Sequence, residues 1–102
     1  MGAQVFYVSG IGASAKEAFN IVVADAKYEN GHGGYSGTIA EKSSCKSAST
    51  DIFENYKLAR EFSEQLMNDF DHWCNDKWGP AAYVTFKSEQ TIEYLFFGVA
   101  SS

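Results

Sequence analysis

Two stretches of this chain concentrate the residues able to do chemistry. The first, ENGHGGYSGTIAEK (29–42), places four glycines within seven positions around His32, Tyr35 and Ser36. A histidine beside hydroxyls has the proton affinity for general acid–base work, with Glu29 one turn back able to orient it. The backbone N–H groups of Gly33 and Gly34 have the freedom to form a nest for an anion or a carbonyl. Phosphate-cradling loops, however, follow a strand and open a helix. Here the glycines follow a helical pattern and lead into a β-like one, so the nucleotide-loop readings fail on polarity as well as on spacing. Gly31 suffices as a helix stop and Gly33 and Gly34 as a turn, and the surplus marks a contact site for a ligand or partner.

The second stretch, NDFDHWCNDKW (68–78), sets Asp69, Asp71 and Asp76 around the expected end of a helix. The macrodipole is negative there, and carboxylates are disfavoured unless offset. Lys77 and Lys87, a bound cation or a basic partner would each offset them. His72 and Cys74 form one H-x-C without a second matching pair, too little for zinc, so no metal site is assigned. Trp78, beyond the helix, reads as a lid or as an exposed interface anchor. No nucleophile, base and orienting group occur together, and no catalytic residue or cofactor is assigned. The expected binding residues are His32, Gly33, Gly34, Tyr35, Ser36, Asp76, Lys77 and Trp78, with Asp69, Asp71 and Asp76 as an acidic patch.

The elements that must position these residues follow from periodicity and punctuation. Gln4–Gly10 is a β-rich run closed by glycine. Ser14 and Glu17 make a capping box, and Ala15, Ala18, Phe19, Val22, Val23 and Ala26 form the apolar stripe of a first helix. YSGTIAEK (35–42) reads as a short strand with Ile39 in the core, and SSCKSAST (43–50) as a loop. Asp51 and Glu54 suggest a second capping box. Ile52, Tyr56, Ala59, Phe62, Leu66, Phe70 and Trp73 then predict one long helix, flanked by Lys57–Glu61 and Arg60–Glu64 pairs and ended by Gly79-Pro80. AAYVTF and TIEYLFFGVA, joined by KSEQ, predict a hairpin whose last strand is central and apolar on both faces. The order β-α-β-α-β-β predicts an α+β fold, two helices packed on one face of a mixed four-stranded sheet.

Composition narrows the function classes. The 102 residues predict a single domain (1–102) that buries roughly two-thirds of its unfolded surface. Sixteen aromatic residues supply a core without a metal or disulfide staple. Cys45 and Cys74 read as reduced thiols of a cytoplasmic protein. No run approaches the ~20 apolar residues of a membrane helix, so no membrane association is expected. Thirteen acidic residues against eight basic ones give a net charge of −5. Direct nucleic-acid binding is excluded on that balance, and basic protein surfaces are favoured.

GHGGYSGTIAEK and DKWGPA together resemble a family of small, mostly uncharacterised proteins of phages, prophages and plasmids. Its members pair a helix ending in HGGY(S/T)GTIAEK with a later DKWGPA before a C-terminal strand. The resemblance places His32, Gly33, Gly34, Tyr35, Gly37, Thr38, Glu41 and Lys42 on the first motif, and Asp76, Lys77, Trp78, Gly79 and Pro80 on the second. It carries over no activity. It implies a mobile-element setting, in which short acidic proteins often inhibit host defence. The leading expectation is a non-enzymatic anti-defence inhibitor, anti-CRISPR-like, binding a basic surface of a host defence protein in the host cytoplasm. A small-molecule or nucleotide binder (a sponge or sensor) built on the two motifs is the second expectation, a small hydrolase with a histidine base the third. A homodimer is a further expectation.

Overall fold

The computed structural model describes residues 3–30, 38–89 and 91–101. Four strands, β1 (Ala3–Gly10), β2 (Cys45–Phe53), β3 (Ala81–Ser88) and β4 (Thr91–Ser101), form one sheet in the order β1-β4-β3-β2. β4 pairs antiparallel with both β1 and β3, whereas β2 pairs parallel with β3. The sheet is therefore mixed, as expected, and the hydrophobic C-terminal strand is central. Two helices, α1 (Ala15–Asn30) and α2 (Tyr56–Met67), each carry the chain back to the start of the next strand.

The helices lie on opposite faces of the sheet rather than sharing one. α1 packs Ala18, Phe19 and Val22 against Phe6, Phe96 and Ala100. α2 packs Ala59 and Met67 against Val84, Phe86, Leu95 and Phe97. Successive side chains of a strand point to opposite faces, so Phe96 and its neighbours Leu95 and Phe97 divide between two cores. A strand apolar on both faces requires a cover on each. Arg60 fixes α2 to the edge strand: it binds Glu64 at 2.9 Å, donates to the Tyr56 hydroxyl at 3.1 Å and lies 3.7 Å over the Tyr7 ring.

The N-terminus of α1 follows the expected cap, with the Glu17 N–H donating to Ser14 Oγ at 3.2 Å. Gly12 lets the helix approach closely, since a Cβ there would stand 2.7 Å from the Ala18 backbone nitrogen. The expected strand at 35–42 does not form in its described part. Ile39–Glu41 is instead a single 3-10 turn capped by Thr38, whose hydroxyl accepts from Ala40 N–H, with Ile39 fully buried as expected.

The expected loop is instead β2. Its Ser- and Thr-rich sequence lacks the apolar alternation of a half-buried strand because it forms an edge. A register shift between Ser47 and Ile52 is held by local hydroxyl bonds, Ser47 Oγ to the Ser49 carbonyl and Asp51 N–H to Ser49 Oγ. α2 is correspondingly shorter than expected at both ends. Ile52 belongs to β2, and the true N-cap is Asn55, whose Oδ1 accepts from Leu58 N–H at 2.9 Å. The helix stops at Met67, so Phe70 and Trp73 are not part of its stripe.

Candidate functional site

The two motif segments meet through a lysine. Lys42 follows the 3-10 turn and is only 4% exposed. Its Nζ donates to the carbonyls of Asp76 (3.2 Å), Lys77 (3.1 Å) and Gly79 (2.9 Å). An ammonium has three N–H donors, and each finds an acceptor in the turn that precedes β3. Burial pushes the Lys42 pKa down, and nearby Asp76 partly opposes the shift. The same region is braced by the Ala81 N–H bond to the Ser44 carbonyl, 2.9 Å. Lys42 was legible as part of a motif but not as the element that joins the two. Its spacing carries no signal of three carbonyls some 35 residues away.

His32, Gly33, Gly34, Tyr35 and Ser36 lie outside the described residues. Their flanks border a cleft of about 290 Å³ between α1 and β1, lined in part by Val22, Asp25, Glu29, Thr38 and Ile39. Trp78 is not among its lining residues, and the carboxylates of Asp25 and Glu29 oppose a phosphate there.

The acidic stretch is explained in part by its own backbone. Asp69 Oδ1 accepts from Asp71 N–H at 3.2 Å, and Asp76 Oδ1 accepts from Trp78 N–H at 2.9 Å. Both are short-range turns of the kind Asp favours. The carbonyls at the end of α2 are met by a side-chain amide. Asn75 Nδ2 donates to the carbonyls of Leu66 (3.2 Å) and Asp69 (2.8 Å). Lys77 instead sits 5.3 Å from the Trp78 ring centroid, and Lys87 stands 3.7 Å from Glu54. His72 caps the 3-10 turn Trp73–Asn75, its Nδ1 accepting from Cys74 N–H at 3.1 Å. Cys74 is buried against Met67, with 3.7 Å between the sulfurs. Among the described residues, no three His, Cys, Asp or Glu side chains gather as a metal ion would require.

What this stretch presents outward is aromatic and acidic. Phe70 is 86% exposed between Asp69 and Asp71, themselves exposed, and Trp78 is 67% exposed. Phe70 borders a groove formed with Val5 and Val99 of the sheet and with Glu64 and Asn68 of the α2 end. Sequence periodicity assigned Phe70 to the core and so missed it as a surface residue. Its neighbours in NDFD, polar on both sides, were the available signal. Compared with known protein families, curated proteins and solved structures, the chain matches none.

Proposed function

We propose that this chain is a small, acidic, non-enzymatic binding protein whose contact surface is the segment 68–78. In that reading it is an anti-defence inhibitor of a phage or mobile element, anti-CRISPR-like, which occupies a basic surface of a host protein. The observation that carries the binding surface is Phe70, a large apolar side chain held 86% exposed between two aspartates. Exposing a phenylalanine forgoes roughly 1.5–3 kcal/mol of burial, and a partner's apolar pocket would recover it. Asp69 and Asp71 beside it suit lysines or arginines at the rim of that pocket. The mobile-element setting rests on the resemblance of GHGGYSGTIAEK and DKWGPA alone.

The test is capture from host extracts on immobilised wild-type protein beside Phe70→Ala and Asp71→Lys variants. A partner retained at low salt, released at about 0.5 M salt and lost with either variant is the expected result. Equal retention by Phe70→Ala, or no salt-sensitive partner at all, sinks the reading.

The cleft beside α1 favours a second reading, a small-molecule binder. Asp25 and Glu29 at its wall select a cationic ligand over a nucleotide. Native mass spectrometry of freshly purified protein would then show a small basic mass lost on denaturation.

A further inference from the structure

The helices cover their two faces unequally. α1 lies over β1 and the part of β4 beside it, and among the described residues no helix lies above the β2–β3 side of that face and the first residues of β4. Register and alternation place Ser47, Ile52, Tyr83, Thr85, Ile92 and Tyr94 there: Ser47 stands beside Tyr83, Ile52 beside Thr85, and Thr85 opposite Tyr94. Ile52 is 52% and Ile92 40% exposed, while Tyr83 and Tyr94 are half-buried and meet edge to face at 6.0 Å. None of these six side chains carries a charge, on a protein whose net charge is −5, and the charge nearest to them on this face is Lys87, opposite Ile92. At the rim, Lys87 and Glu54 are both well exposed and separated by 3.7 Å.

The geometry points to this half-face as a self-association surface, occupied by a second copy of the chain. A basic partner would seek the acidic surface near Phe70 and gain nothing from an uncharged one. Two copies, each at −5, repel except where they touch through neutral surface. A two-fold axis through the patch sets apolar against apolar. It also lets Lys87 of each copy reach Glu54 of the other, so that the rim is complementary to itself. Half of one sheet face is a small interface beside the ~800 Å² per partner of a stable complex, so the dimer is weak, with a dissociation constant on the order of ten micromolar.

Sedimentation equilibrium from about 5 µM to about 0.5 mM, bracketing that constant, tests the surface. Wild type is expected to rise from its 11.2 kDa monomer mass toward twice that value. Ile92→Glu and Ile52→Glu, each folded by circular dichroism, should remain monomeric throughout. Val5→Glu, on the opposite edge strand, should dimerise as wild type does. Added salt should tighten the dimer by screening the repulsion, opposite to its effect on the contact near Phe70. A wild type monomeric throughout, an Ile92→Glu protein that dimerises unchanged, or loss of dimer in Val5→Glu would each overturn the assignment.

Discussion

At the scale of single residues, Lys42 and Phe70 are opposites. Lys42 is a charge buried because its three donors meet three carbonyls. Replacing it with methionine keeps the stem's volume and leaves the Asp76, Lys77 and Gly79 carbonyls without that donor. Losing charge-assisted hydrogen bonds costs about 1.5–3 kcal/mol, a fall of about 10 °C in Tm by the usual scaling for a domain of this size. Thermal melts of Lys42→Met check this, and a Tm within about 2 °C of wild type would show that the clasp adds nothing. Phe70 is an apolar group left in water, so Phe70→Ala should leave stability within about 0.5 kcal/mol of wild type. A larger loss in urea unfolding would mean that Phe70 packs against the groove in solution.

At the scale of elements, the ends of α2 separate what the sequence made legible from what it did not. Local signals identified α1, its Ser14 cap, β1 and the hairpin, because each rests on neighbours in the chain. The β2 strand was hidden, since Cys45, Lys46 and Ser47 owe their strand conformation to pairing with β3 across the sheet, and Ser49 and Thr50 lie in the register shift that follows. Taking that segment for a loop let the helix begin too early, at Asp51. At the other end Phe70 and Trp73 continue the helical spacing by coincidence, and the helix stops because Asn75 folds back to bind the Leu66 carbonyl. The opposite-face packing was implicit in the two-faced hydrophobicity of β4. The Lys42 contacts, across more than thirty positions, had no local trace. The two alternative caps make a direct comparison. Asn55→Ala should cost about 1 kcal/mol, whereas Asp51→Ala, outside the helix, should change little. The reverse order in urea midpoints would restore the longer helix.

At the scale of the whole molecule, the buried titratable groups predict how stability responds to alkali. Burial raises Cys45 and Cys74 above the ordinary 9.0, and Tyr7 and Tyr83 above 10.0. Through each window the unfolded chain loses its proton first and the folded chain holds more protons, so stability falls as pH rises. Lys42 acts in the other direction. Its lowered pKa means that, up to the ordinary 10.5, the folded state holds fewer protons, which makes stability rise with pH. Four groups oppose one, and the thiols begin before the tyrosines. The net expectation is a decline that starts near the ordinary thiol value and steepens as the tyrosines join. Urea melts from neutral pH to about pH 11, on wild type and on a Cys45→Ala, Cys74→Ala double variant, separate the contributions. The two thiols lie in different cores, Cys45 beside the α1 cluster and Cys74 within the α2 cluster, so their effects should add. The double variant should lose the early part of the decline and keep the later one. A profile parallel to wild type from pH 8 upward would show that the thiols ionise alike in the folded and unfolded chains.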